Sequence, residues 1–247
     1  MAERLDQRLF REGAFPSREK ARRAVMAGVV LVDGQRVDKP GRSVAEDASV
    51  SVLEPSEPFV SRGGRKLAAA LDHFEINPKG FACLDVGAST GGFTDCLLSR
   101  GAERVYAVDV GYGQLDHKLR RDPRVVVLER QNARHLAADA LEEACDLVTF
   151  DLSFISLRKV FPAVLPHLAP GGVLLPLIKP QFEAERGQVG KGGIVRDDQV
   201  RCGVVDRCVE DLIGLELACL GRFDSPIHGA KGNRETFALF RRREETG

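Results

Sequence analysis

The stretch Leu84-Asp85-Val86-Gly87-Ala88-Ser89-Thr90-Gly91-Gly92-Phe93 decides the fold. Apolar residues run into a glycine turn, and helix-compatible residues begin directly after it. This is a strand whose loop opens a helix, the repeating unit of α/β domains with a parallel sheet. Working outward, the pattern predicts strands at 82–86, 104–108, 125–128, 147–150, 173–178, 215–220 and 237–241. Helices are expected between them, most clearly at 92–100, 156–167 and 198–214. The resulting expectation is an α/β domain over residues 62–247, with a seven-stranded, mostly parallel sheet.

Glycine lets a ligand approach the backbone closely, and a helix N-terminus presents free N–H groups. A dinucleotide fold would use G-x-G-x-x-G to cradle a pyrophosphate. Here the spacing is G-x-x-x-G-G after an acid, Asp85. A carboxylate repels a pyrophosphate but suits an amino group or a cationic ligand. S-adenosylmethionine carries both, and it is the cofactor expected here. Its candidate site comprises Asp85, Gly87, Ser89, Thr90, Gly91, Gly92 and Phe93, then Asp109 for the ribose and Asn132 beside the adenine.

Ligands of open α/β sheets bind beyond the carboxyl ends of the strands. Asp151 and Lys179 close two expected strands there. Glu235 opens the last strand, which reaches the same edge if it runs antiparallel. Lys66, in Ser61-Arg62-Gly63-Gly64-Arg65-Lys66-Leu67, is expected just before the first helix of the domain. A hydroxyl nucleophile needs a base, or a cation to stabilise its alkoxide, and two lysines with two carboxylates would supply both.

The first sixty residues differ in texture. Two helices, at 4–13 and 18–27, precede a hairpin turning at Asp33-Gly34 and another short strand at 50–53. Residues 1–42 hold ten Lys/Arg and six Asp/Glu, a net charge of +4, whereas the whole chain is neutral with 36 of each sign. The order of elements resembles the S4 RNA-binding domain. The resemblance implies that Arg4, Arg18, Lys20, Arg22 and Arg23 contact RNA phosphates, which position without reading sequence. The domains are expected at 1–54, a Pro-rich linker at 55–61, and 62–247.

The order Lys66, Asp151, Lys179, Glu235 resembles the tetrad of FtsJ-like RNA ribose 2′-O-methyltransferases. With the S4-like segment and the motifs Ser-Arg-Gly-Gly-Arg-Lys-Leu and Lys-Pro-Gln-Phe-Glu, the chain is similar to the TlyA family over nearly its whole length. That resemblance implies a Rossmann-like class I methyltransferase fold, S-adenosylmethionine as cofactor, and 2′-O-methylation of ribosomal RNA or ribosomal subunits. It also implies that Lys179 activates the hydroxyl, that Asp151 orients Lys179, and that Lys66 and Glu235 align the ribose. Which lysine takes the proton stays open.

Competing readings are an amino-group methyltransferase acting on a base, a pseudouridine synthase, a membrane-lytic hemolysin and a non-catalytic assembly factor. The first would want a strand-end D/N-P-P-F/Y, and Asp151-Leu152-Ser153-Phe154 lacks both prolines. The second finds an Arg-Leu-Asp at 4–6 but gives the glycine loop no role. Apolar runs such as Val173–Ile178 are too short to span a bilayer, so no membrane partner is expected and the location is expected to be cytoplasmic. The six cysteines show no C-x-x-C spacing, so no metal is expected. The glycine-rich segment 181–197 is either a simple mobile loop or a lid.

Overall fold

The computed structural model describes residues 2–53, 58–185 and 187–243. The chain divides into two compact units, Met1–Pro58 and Phe59–Gly247. Of the linker expected at 55–61, positions 55–57 lie outside the described residues.

The first unit runs β1 (Glu3–Arg4), α1 (Leu5–Arg11), α2 (Arg18–Met26), β2 (Val30–Val32), β3 (Gln35–Arg36), β4 (Ser43–Val44) and β5 (Val50–Val52). Ser17 caps α2, its Oγ accepting from the Lys20 N–H at 3.2 Å. Asp33 and Gly34 both take positive φ, 52° and 77°, as the tight hairpin joining β2 to β3 demands. β2 lies between β3 and β5, both antiparallel to it. Leu5 and Leu9 on α1, with Ala21 and Val25 on α2, sit four residues apart and bury one stripe of each helix against Val30, Val32, Val37 and Val44. The pair β1–β4 is only two residues wide, too short to leave a pattern in the sequence.

The second unit contains α3 (Arg62–His73), β6 (Ala82–Val86), α4 (Gly92–Ser99), β7 (Arg104–Val108), α5 (His117–Arg120), β8 (Val125–Leu128), β9 (Cys145–Phe150) and α6 (Phe161–Val164). It continues through β10 (Leu168–Ile178), α7 (Pro180–Glu183), α8 (Asp198–Ile213), β11 (Leu217–Asp224) and β12 (Thr236–Arg242). The seven strands lie in the order β11-β12-β10-β9-β6-β7-β8. Six run in one direction, β11 among them, and only β12 runs against the rest, antiparallel to both of its neighbours. Alternate residues of each strand face opposite sides. Leu84, Val86, Val148 and Phe150 therefore pack into one core with Phe161 and Val205. Cys83, Val105 and Leu147 pack into another with Leu67, Leu71 and Leu97.

Three expectations need correction. The helix expected at 156–167 is broken into a single turn at Leu157–Lys159, α6, and a second turn at Leu165–His167. Pro162 and Pro166 remove the N–H groups a continuous helix would use. β10 begins at Leu168 rather than 173, because pairing resumes at Leu168 with Cys145 across an irregularity at Ala169–Gly172. Lys66 lies inside α3 rather than before it. Two glycines make Arg62–Arg65 look like a loop, but Gly64 is there for close packing within the helix: a Cβ on it would overlap the Phe59 ring. Among the described residues no helix is long and apolar enough to cross a membrane.

Candidate active site at the carboxyl edge of the sheet

From β6 the chain builds β7 and β8 on one side, then crosses to β9 on the other. The loops after β6 and β9 diverge at this switch point and leave a cleft. Gly87 is held there at φ 89°, with its N–H donating to the Val108 carbonyl at 2.8 Å. A Cβ on it would stand 2.9 Å from the Asp151 carbonyl oxygen, so the two loops approach this closely only over glycine. Two cavities open here, of about 230 Å³ and about 470 Å³, and both are lined by Gly87, Ser89 and Asp151.

Two amine–carboxylate pairs stand at this edge. Lys66 Nζ donates to Glu235 Oε2 at 2.6 Å, with the side chains only 11% and 2% exposed. Lys179 Nζ lies 2.7 Å from Asp151 Oδ1 and 3.1 Å from Ser153 Oγ. Lys66 and Asp151 both line the smaller cavity; Lys66 is hydrogen-bonded to Glu235, and Asp151 is ion-paired with Lys179 without a hydrogen bond on Oδ1. Glu235 reaches this edge because β12 runs antiparallel to β10. Four residues separated by up to 169 positions are thus brought to one cleft.

The expected cofactor residues divide into those in the cleft and those beneath it. Ser89, Thr90, Gly92 and Phe93 line the smaller cavity, and Asp109 and Asn132 line the larger. Gly91, at φ 95°, is the N-cap of α4. Asp109 accepts from the N–H groups of Ser89 at 2.8 Å and Gly111 at 2.7 Å, pinning both loops of the larger cavity. Asn132 Oδ1 accepts from Arg134 N–H at 3.1 Å. Asp85 is fully buried and lines neither cavity. Its position in β6 puts it under α4, where Oδ2 accepts from Thr94 N–H at 3.0 Å and Thr94 Oγ1 at 2.7 Å. Burial pushes its carboxyl up to about 7, although the Thr94 hydrogen bonds oppose this. It supports the loop from below and offers no direct contact to a ligand.

In the first unit, Arg4 and Arg18 each reach Asp6 at 3.1 Å, while Asp6 is 3% exposed. The Arg4 hydrogen bond, with support from Arg18, holds this carboxyl below the ordinary range. Lys20, Arg22 and Arg23 are exposed on α2, and Arg22 and Arg23 lie within ion-pair distance of Glu19. Arg4, Arg18 and Arg22 border one shallow pocket.

Sequence reasoning passed over several cleft residues. Gln114 lines the larger cavity, and its Oε1 lies 3.4 Å from Ser89 Oγ. Phe154 lines the same cavity yet is 92% exposed. It is held at φ 65°, with its ring 5.0 Å from that of Phe182. Its place in Asp151-Leu152-Ser153-Phe154, directly after a strand end, was the available signal. Segment 181–197 is less free than a lid. Gly190 pairs with Ile194, and the buried Asn233 side chain holds Val195 N–H at 3.0 Å and the Gly193 carbonyl at 2.8 Å. Among the described residues no cluster of three His, Cys, Asp or Glu could hold a metal ion.

A parallel sheet interrupted by one antiparallel strand, and a glycine loop beside two lysine–carboxylate pairs, define a Rossmann-like methyltransferase. The FtsJ-like methyltransferase family matches residues 59–242 and the S4 domain family residues 3–50. The chain belongs to the FtsJ-like methyltransferases and carries an S4 domain in front. It is 47% identical to the 16S/23S rRNA (cytidine-2′-O)-methyltransferase TlyA of Mycobacterium tuberculosis, over 96% of this chain and 89% of that protein. It is 43% identical to Hemolysin A of Brachyspira hyodysenteriae, over 96% and 99% respectively. A solved structure, "Putative hemolysin from Streptococcus thermophilus", superposes with a TM-score of 0.76 at 40% identity, covering 98% of this chain and 89% of that one.

Proposed function

We propose that this protein transfers the methyl group of S-adenosylmethionine to a ribose 2′-hydroxyl of ribosomal RNA, with ribosomal subunits as the natural substrate. The observation that carries this reading is the convergence of Lys66–Glu235 and Lys179–Asp151 on one cleft beside the glycine loop. The cofactor fits the residues present. Val108, Ala133, Leu152 and Ile155 give the larger cavity apolar walls for a purine, and Asp109 and Asn132 add polar groups. Ser89, Thr90 and Phe93 in the smaller cavity would hold the amino-acid end. When bound, S-adenosylmethionine supplies a methyl group activated by its sulfonium.

Lys179 is the better placed base. Both lysine side chains are 11% exposed and Lys66 itself lines the smaller cavity, but the Lys66 amine is held in a 2.6 Å hydrogen bond to Glu235, whereas the Lys179 amine lies against Asp151, a wall of both cavities. Lys179 Nζ takes the 2′-hydroxyl proton, and Asp151 accepts from the resulting ammonium. The oxygen keeps the O–H electron pair and so becomes the nucleophile for the methyl group that bound S-adenosylmethionine would supply, with its sulfur as the leaving group. Lys66 and Glu235 set the ribose in line, a positioning role that accounts for much of such a rate enhancement. Phe154 offers an exposed ring on which an unstacked base can rest. The S4 unit supplies sequence-independent phosphate contacts through Lys20, Arg22 and Arg23, and Arg4 and Arg18 border the same surface.

The test is to incubate the protein with methyl-labelled S-adenosylmethionine and unmodified ribosomal subunits, then hydrolyse the RNA in alkali. Label in an alkali-resistant dinucleotide is the expected result, because the reaction blocks the 2′-oxygen that alkaline cleavage needs. Label released as mononucleotide means base methylation, and absence of label overturns the reading.

A further inference from the structure

Lys179 touches a second oxygen that the four-residue arrangement does not include. We infer that Ser153 is a positioning residue that aims the Lys179 lone pair into the cleft, an inference that rests on Lys179 being the base. A neutral lysine amine has two N–H donors and one lone pair, arranged tetrahedrally about nitrogen. Asp151 Oδ1 lies at 2.7 Å and Ser153 Oγ at 3.1 Å from Nζ. The Asp151 contact is an ion pair outside hydrogen-bond geometry, so Ser153 Oγ makes the directional bond: it fixes one N–H, stops rotation about Cε–Nζ and confines the lone pair to the positions away from Ser153. With Asp151 alone, the amine can turn about its Cε–Nζ bond until an N–H and the lone pair exchange places. An amine so turned donates to the ribose hydroxyl instead of taking its proton.

Two features hold Ser153 and Lys179 in register. Glu183, in the helix that follows Lys179, accepts from Leu157 N–H at 2.8 Å, four residues after Ser153. Burial raises the Glu183 carboxyl against the help of that bond. The Phe154 and Phe182 rings, 5.0 Å apart, make a second tie between the same two segments. The loop that ends β9 and the turn that ends β10 are therefore linked twice beyond the lysine itself. Ser153 is exposed, so its hydroxyl is not part of the core that folds the domain.

The experiment compares wild type, Ser153→Ala and Ser153→Thr in methyl transfer to unmodified ribosomal subunits, with calorimetric titration of S-adenosylmethionine alongside. Ser153→Ala should lower kcat about fivefold to tenfold, the worth of one neutral hydrogen bond. KM for RNA should stay within about twofold, any change in cofactor affinity from the cavity wall should be smaller than the fall in kcat, and Ser153→Thr, which restores the hydroxyl, should recover most of kcat. An unchanged kcat in Ser153→Ala overturns the inference. So does a fall in kcat that Ser153→Thr does not recover, because the change would then act through the shape of the cavity that Ser153 lines and not through its hydroxyl. Failure of the underlying reading looks different: wild type itself makes no alkali-resistant linkage, or Lys179→Ala retains full kcat.

Discussion

Each unit of this protein holds a carboxylate flanked by cationic side chains beside a pocket, and the two arrangements do different work. Asp6 is clamped by Arg4 and Arg18, and guanidinium groups keep their protons at any physiological pH. That cluster is a permanent positive surface with a buried anchor, suited to holding phosphate. Asp151 is paired with Lys179, and an amine can give up and recover a proton when its surroundings favour it. On the proposed function, the same pattern of charge binds in one unit and reacts in the other. Choice of cation, more than burial or spacing, separates the two roles.

The sharpest way to break this contrast is to remove the reactive amine. Lys179→Ala is predicted to lower kcat for methyl transfer by about 10³-fold, within the range for loss of a general base. Its affinity for S-adenosylmethionine, measured by calorimetry, should change less than threefold. A parallel loss of cofactor affinity would place Lys179 in the cofactor site and end the comparison.

Next comes the buried pair. Glu235→Ala leaves the Lys66 amine without its 2.6 Å partner at 11% exposure. The expected cost is about 2–3 kcal/mol in thermal or urea unfolding, below the usual loss for a fully buried pair because the cavity admits water. Adding Lys66→Met should recover much of it. If the double variant is no more stable than the single, the pair is not what stabilises this edge.

The binding cluster gives a smaller effect of another kind. Neutralising Lys20, Arg22 and Arg23, while leaving the Arg4–Asp6–Arg18 clamp intact, should weaken RNA binding without changing the melting temperature. The slope of log affinity against log salt should fall by roughly 2–3. An unchanged slope would mean that RNA lies elsewhere on the molecule.

The mildest prediction concerns Asp85, the acid that the fold turned inward. Its carboxyl is pushed up to about 7 from an ordinary 3.8, so the folded chain holds this proton more tightly than the unfolded one. Its stabilising contribution is complete below about pH 4 and declines as pH rises towards 7, by at most about 1.4 kcal/mol per unit. Asp85→Asn should flatten that part of the stability profile, read from urea unfolding at pH 5 and pH 8. Equal slopes in variant and wild type would show that other groups carry it.

Much of this was written in local pattern. The strands at 82–86, 104–108 and 125–128 are found where short apolar runs bounded by turns mark them, and the glycine loop announces its own helix. Strand ends can be read from sequence, so Asp151 and Lys179 could be proposed as neighbours of one edge. Local pattern also misled where packing intervened. Lys66 looked like a loop residue because two glycines precede it, yet Gly64 serves the close approach of Phe59 to the helix and not a turn. Asp85 looked like a ligand contact because of its place in the motif. Which face of β6 lies beneath α4 is a matter of sheet packing, and that face is where Asp85 points.

What the sequence alone determined is the list of chemical groups and the strand ends that carry them, because hydrophobic periodicity and turn chemistry are local. The tertiary structure decided which of those groups meet. Lys66 and Glu235 are 169 residues apart, and their pairing depends on β12 entering the sheet antiparallel beside β10. Ser153, Phe154 and Gln114 became part of the cleft only through that same long-range order. No periodicity within a short window encodes it, because contacts so far apart in sequence are chosen by how the layers bury their faces together.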